Sequence, residues 1–188
     1  MRGSGRRFLQ EAQRIRLDLE ALARSKKLDI KNLPTVEVAQ KILKVNPFPY
    51  QTKLLTDPSK RLVACMGRQT GKTTTIAIRA IDFAIKNEGV TILITSPSLR
   101  QSMIMFSRIA GFVFSTPILR ERVIRSTRTI IQFNNRSEII ALPASENLLR
   151  GYTAHMIIVD EAAFVPEELI TQVVFPMIST TDGYAIFL

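Results

Sequence analysis

The sequence is poor in cysteine, histidine and acid. One cysteine, Cys65, excludes an internal disulfide. With His155 as the only histidine, a zinc site built from cysteine and histidine is out of reach. No stretch approaches the roughly 18 uncharged apolar residues that a membrane-spanning helix needs. The opening Met1-Arg2-Gly3-Ser4-Gly5-Arg6-Arg7 is basic, but no apolar run of signal-peptide type follows it. Repeats and low-complexity tracts are missing as well. These absences point to a soluble protein of a reduced compartment, with no membrane partner.

Acidic residues number 16 against 26 basic ones, a net charge of +10. Lysine and arginine neutralise phosphates and release counterions, so this excess points to a polyanion, nucleic acid first. A solvated basic surface is the competing explanation. The excess is concentrated at the N-terminus and between Arg100 and Arg136. A length of 188 residues suits one domain with an appendage, and 46% apolar residues can supply a core. A charged fraction of 22% argues against global disorder.

The apolar spacing of Phe8, Ile15, Leu19 and Leu22 predicts an amphipathic helix over residues 6–28, packed on the core or serving as a DNA-contacting arm. Asp29 to Pro34 reads as a connector, and Thr35 to Val45 as a short helix. Residues 1–46 thus form an N-terminal helical extension to a core over 47–188. Asn46-Pro47-Phe48-Pro49 is expected to stop regular structure twice. Arg61 to Met66 reads as a buried strand, followed by a glycine-bearing turn and a helix from about Gly71 to Asn87, ended by Gly89. Val90 to Thr95 is a second strand, and Ser96-Pro97-Ser98 caps a helix over about 99–114. Residues 123–142 carry a hairpin signal, two apolar runs around Asn134-Asn135-Arg136-Ser137. Met156 to Val159 is a third strand of the main series, a helix follows Pro166, and Gly183 to Leu188 is a fourth strand. Strand, helix, strand, helix at these lengths predicts parallel βαβ units, an α/β fold with helices flanking the sheet and a β-hairpin insertion.

Two segments carry chemistry. Met66-Gly67-Arg68-Gln69-Thr70-Gly71-Lys72-Thr73 follows a strand and opens a helix. It approaches the phosphate-loop pattern G-x-x-x-x-G-K-[ST], with Met66 in place of the first glycine. Phosphates need donors pointing inward and no side chains in the way. Gly67 and Gly71 permit the tight turn that gathers backbone N–H groups, and the helix N-terminus adds its dipole. Lys72 can reach the β and γ phosphates, the Thr73 hydroxyl is placed to ligate Mg²⁺, and Thr74 completes the helix start. The second segment, His155 to Glu161, is a strand ending in two carboxylates, as a doubly wound sheet presents a site at its carboxyl edge. Asp160 is the expected Mg²⁺ ligand, and Glu161, one residue on, the group that polarises the attacking water. Each segment alone has a bland reading, a glycine turn or a pair of surface acids. Together they predict a site for ATP and Mg²⁺.

These residues resemble the ATPase domain of the large terminase subunit, the DNA-packaging motor of tailed viruses. Five segments carry the resemblance: Pro47-Phe48-Pro49-Tyr50-Gln51, Met66 to Thr73, Ile94-Thr95-Ser96-Pro97-Ser98, Leu149-Arg150-Gly151, and Asp160-Glu161-Ala162-Ala163 with Phe164 beyond. The resemblance implies a P-loop NTPase fold of the additional-strand catalytic-glutamate type and ATP-driven movement of double-stranded DNA into a procapsid. It implies a ring of subunits on a portal, a small terminase subunit as partner, and a place in the cytoplasm of an infected or provirus-bearing cell. The chain in isolation can equally be a monomer. Gln51 would bind the adenine edge, since an amide offers a donor and an acceptor together. Tyr50 either stacks on the base or packs, and packing is favoured. Arg68, acting in cis from within the loop, and Arg150, acting in trans on a neighbour's ATP, compete for the charge-stabilising role. A structural salt bridge is the alternative for Arg150.

A complete member of the family carries a coupling turn just after the strand that reaches Leu188, and then a nuclease domain. Neither occurs in these residues, so the expectation is a fragment that does not cut DNA and hydrolyses ATP weakly or not at all. Two other readings stand beside the motor: a fragment of a superfamily 2 helicase, which shares an upstream glutamine and an acidic pair, and a non-catalytic, nucleotide-dependent assembly module.

Overall fold

The computed structural model of the chain describes Glu11, Gln13, Arg14 and residues 29–188. The helix expected over 6–28 falls almost wholly outside the described residues. Seven strands form one sheet: β1 (Arg61–Val63), β2 (Thr91–Ser96), β3 (Val123–Ser126), β4 (Ile130–Phe133), β5 (Glu138–Pro143), β6 (Met156–Val159) and β7 (Tyr184–Phe187). Their order is β1-β7-β6-β2-β5-β4-β3. The first five in that order run parallel, and β4 and β3 continue the sheet antiparallel.

The longer helices are α1 (residues 35–42, with a π-turn over Val38–Ile42), α2 (Pro49–Thr56), α3 (Lys72–Lys86), α4 (Leu99–Ser115) and α5 (residues 167–179). Side chains alternate along each strand, so the two sheet faces build two cores. Ile92, Ile94, Ile139, Ile158 and Ile186 face α1, α3 and α4 with Ile76, Ile81, Met105 and Ile109. Leu93, Ile140, Ile157, Val159 and Ala185 face α5 with Leu169, Val174 and Ile178. Residues 30–43 belong to the first core: Ile30, Val38, Ala39, Ile42 and Leu43 are buried there, and the Thr35 hydroxyl donates to Asp82 at 2.7 Å.

Helix α3 is buried from Thr75 to Asp82, which puts two charges inside. Arg79 donates to the carbonyls of Leu54 (3.0 Å) and Asp57 (2.8 Å) and lies 5.9 Å above the Tyr184 ring. Its guanidinium therefore has acceptors where burial lowers its pKa. It also clamps the end of α2 to α3.

Two sequence expectations need correction. Pro49 opens α2 instead of interrupting the chain, because a proline lacks only the N–H that the first helical position leaves unused. The first strand is three residues long and lies at the sheet edge, with Val63 76% exposed, so it is not a buried strand. The expected hairpin is present as the antiparallel pair β4 and β5, and β5 also pairs in parallel with β2 over six residues. Its turn is tied to the end of α3, where Asn135 Nδ2 donates to the carbonyls of Ala84 (2.8 Å) and Asn87 (2.9 Å) and Ser137 Oγ to Asn87 (2.6 Å). Strand β3 carried no recognised signal in the sequence.

Candidate functional site

The carboxyl ends of β1, β6 and β2 bring the two chemical segments together. After β1 the chain turns through Gly67 to Gly71 and enters α3 at Lys72. Two residues in this turn are left-handed, Gln69 (φ 61°) and Gly71 (φ 78°). The Thr70 hydroxyl closes the turn on the Gly67 carbonyl at 2.9 Å, and the Thr75 N–H and hydroxyl both donate to the Gly71 carbonyl. The first turn of α3 thus leaves the backbone donors of Lys72, Thr73 and Thr74 facing the loop's concavity, where an anion is favoured.

Helix α2 is fastened to the same loop. Gln51 Nε2 donates to the Thr70 carbonyl at 2.9 Å, and the Tyr50 hydroxyl donates to it at 3.1 Å. Gln51 Oε1 accepts the Phe48 N–H at 2.9 Å, holding the start of α2. The amide lies so close to the loop that a Cβ on Gly71 would come within 2.5 Å of Gln51 Nε2. Tyr50 stands parallel to Phe48, with ring centroids 5.8 Å apart and 5° between planes. Tyr50 thus touches both Phe48 and the loop.

Asp160 extends β6, its N–H donating to the Thr95 carbonyl at 2.8 Å. Its carboxylate is half-buried. Burial raises its pKa, and the ammonium of Lys72 works in the opposite direction. The loop lysine and the strand-end acid thus lie near enough to interact electrostatically. Glu161 is exposed and left-handed (φ 54°), a conformation that costs a non-glycine residue about 1 kcal/mol or more. Its N–H donates to Asp160 Oδ1 at 3.1 Å, and its carboxylate accepts from Gln101 Nε2.

Gln101 is a site residue that the sequence reading missed. Its Oε1 accepts the N–H (3.1 Å) and hydroxyl (2.7 Å) of Ser98, the N-cap of α4. The S-x-x-Q spacing signals this cap; nothing local signals the second bond, to a glutamate 60 residues on. Two buried hydroxyls at the same edge, Thr95 Oγ1 and Ser96 Oγ, have no protein partner among the described residues.

The two arginines separate. Arg68 is exposed on the loop itself. Arg150 pairs with Glu146 one helical turn away, its side chain 59% exposed. It borders a groove of about 420 Å³ with Tyr152, Gln172 and Met177. Among the described residues, no contact joins it to the phosphate loop.

The family described as Terminase large subunit, T4likevirus-type, N-terminal, matches residues 63–184. The large terminase subunit of Thermus phage G20c is 26% identical over 169 residues, covering 78% of this chain and 34% of its own. The chain thus spans about a third of the length of the curated relatives it matches. The large terminase ATPase domain of Thermus phage P74-26 is 26% identical, with a TM-score of 0.73 over 83% of this chain and 69% of that one. The large terminase of a thermophilic bacteriophage, solved in complex with ATP-γ-S, is 15% identical and shares the fold, with a TM-score of 0.55 over 74% of this chain and 36% of its own. With residues 63–184 matched and the sheet, loop and acidic strand end in this arrangement, the chain belongs to the T4likevirus-type large terminase family and carries its N-terminal domain.

Proposed function

We propose that this chain is the ATPase motor portion of a viral large terminase, which hydrolyses ATP with Mg²⁺ to drive double-stranded DNA into a procapsid. The observation that carries this reading is the convergence, at the carboxyl edge of one parallel sheet, of the glycine turn that opens α3 at Lys72 and the end of β6 at Asp160. Lys72 and the N–H groups at the start of α3 bind the phosphates. Glu161 orients the attacking water, which requires its carboxylate to leave Gln101.

The residues present fit Mg²⁺. No group of three His, Cys, Asp or Glu side chains capable of holding a metal exists among the described residues. An ion here would be held by the Thr73 hydroxyl, the Asp160 carboxylate and phosphate oxygens, a set that suits a hard ion reluctant to shed its waters. When bound, Mg²⁺ offsets the charge of the β and γ phosphates. A carboxylate destabilised by burial gains from a cation beside it.

Arg68 supplies positive charge from the loop in cis. Arg150 reaches a neighbouring subunit's ATP in trans, a role supported by its exposure and by its contacts lying away from the loop. A ring of copies on a portal, with a small terminase subunit, in the cytoplasm of an infected or provirus-bearing cell, is the setting that family membership favours. The exposed Arg125, Arg128 and Arg136 are candidate contacts for DNA or for the adjacent subunit. No observation favours the helicase or the assembly-module reading over this one.

Binding and turnover of Mg·ATP, measured on the wild type, Lys72→Ala and Glu161→Gln, test the proposal. Loss of binding in the first variant and loss of turnover with retained binding in the second are expected. Unchanged ATP affinity in Lys72→Ala would overturn it.

A further inference from the structure

We infer that the Ser96 hydroxyl is a positioning group for Mg²⁺, holding a water of the ion's hydration shell beside Asp160. This role rests on the ATPase reading above and gives a part to a residue which that reading leaves without one.

Ser96 is the last residue of β2 and is fully buried. Its Oγ has no hydrogen-bond partner among the described residues. A hydroxyl taken out of water and left unpaired costs folding free energy, so native interiors rarely keep one. Ser102, buried in the first turns of α4, shows the ordinary solution: its hydroxyl donates to the Leu142 carbonyl at 2.9 Å.

Register decides what Ser96 faces. Strands β2 and β6 run parallel with Thr95 opposite Val159, and the Asp160 N–H continues the ladder to the Thr95 carbonyl at 2.8 Å. Ser96 and Asp160 are therefore the next pair along, on strands about 5 Å apart. Side chains alternate between the two faces of a sheet. Ile94 and Ile158 lie in the core beneath α3 and α4, so Ser96 and Asp160, two residues on, point to the face of α3, whose first turn carries Lys72 and Thr73. The influence of Lys72 on the Asp160 carboxyl agrees with that placement. Leu93 and Val159 lie in the other core, so Thr95 points away from the loop. The Thr95 hydroxyl is as buried as that of Ser96 and as unpaired, one residue away on the opposite face.

Mg²⁺ gives up its waters reluctantly, and those waters need hydrogen-bond acceptors. Asp160 Oδ1 already accepts the Glu161 N–H. A serine hydroxyl offers two lone pairs and one O–H. A water between Ser96 and the ion satisfies the buried hydroxyl and limits where the ion can sit between Asp160 and Thr73.

We would measure the affinity for ATP-γ-S by calorimetry, with Mg²⁺ and with EDTA, for wild type, Ser96→Ala and Thr95→Val. Groups that orient a metal's ligands contribute at least this much to its affinity, so Ser96→Ala should weaken binding about tenfold in Mg²⁺ and leave it unchanged in EDTA. With Mn²⁺ in place of Mg²⁺, bound metal is counted by EPR, and the same variant should hold it about tenfold less tightly. Thr95→Val should match the wild type under both conditions. Unchanged affinity of Ser96→Ala in Mg²⁺, an equal loss with and without the metal, or an equal loss in Thr95→Val would overturn the inference and leave the ATPase reading standing. A wild-type chain that binds no ATP-γ-S under either condition would remove the ATPase reading and this inference with it.

Discussion

Replacing Gly71 by alanine adds one methyl group at a position that is both left-handed and crowded. The backbone at φ 78° costs an alanine about 1 kcal/mol. The new Cβ would sit 2.5 Å from Gln51 Nε2, the far end of a flexible side chain, so the amide moves and the backbone stays. The amide then gives up two bonds of 2.9 Å, to Thr70 O and from Phe48 N, at about 1 kcal/mol each. The expected loss is about 3 kcal/mol, a sizeable part of the stability of a domain this size. In urea the midpoint should fall by roughly 1–2 M with an unchanged slope. Gln51→Ala forfeits the same two bonds, about 2 kcal/mol, and vacates the space. The double variant should therefore lose about 3 kcal/mol instead of the additive 5, a coupling of about 2 kcal/mol. Additive losses, within about 0.5 kcal/mol, would refute the claim that the amide and the loop glycine compete for one volume.

Three further outcomes follow from the site. Strand order puts Gln101 on the β2 side of Glu161 and the phosphate loop on the β1 side, so the Gln101 bond draws the carboxylate away from the loop. Gln101→Ala should raise basal ATP turnover severalfold at nearly constant KM, and lowered turnover would count against that geometry. The Asp160 carboxyl has its pKa raised by burial, so the folded state disfavours its charged form, and its contribution to stability declines as pH rises from the ordinary carboxylate value through the raised one. Asp160→Asn should accordingly raise the urea midpoint at pH 7 without Mg²⁺, and the gain should vanish near pH 3; a gain independent of pH would contradict the burial argument. Arg128 is exposed on the edge hairpin, whereas Arg136 is held 3.3 Å from Glu88, so Arg128→Glu should flatten the salt dependence of DNA binding by about 0.9 for each phosphate no longer neutralised, and Arg136→Glu by less. Titration of a labelled duplex at several salt concentrations reads both slopes.

The parts of the site legible in the sequence are those set by neighbouring residues. Gly67, Gly71 and Lys72 declare a turn and a helix start within six positions, and Asp160 follows four apolar residues that can only be a strand between two cores. The cap of α4 is equally local. What escaped depends on residues far apart. Arg61 to Met66 has the composition of a buried strand, but burial depends on strand order, and β1 lies at an edge where the chain leaves the sheet at Ala64 to begin the loop. The turn at Asn134 to Ser137 is a hairpin by sequence, but its fusion to the main sheet rests on Asn135 and Ser137 reaching the end of α3. Pro49 was legible as a breaker and equally so as a helix start; the missing N–H has both meanings, and only the chain beyond decides.

The place of β1 also fixes when the phosphate loop can form. Its neighbour in the sheet is β7, and the two pair Arg61 with Ala185 and Val63 with Phe187. The strand that carries the loop is made early in synthesis, and the strand that holds it comes more than a hundred residues later. Closing so long a segment carries a large entropic cost, met only once the intervening strands are assembled. During synthesis, β2, β5 and β6 can register against one another first, while Gly67 to Thr73 has no edge to lie on. Strand β1 therefore gains its neighbour in the sheet only when Tyr184 to Phe187 lie between it and β6. Nucleotide present during refolding should then speed nothing before that step and stabilise everything after it.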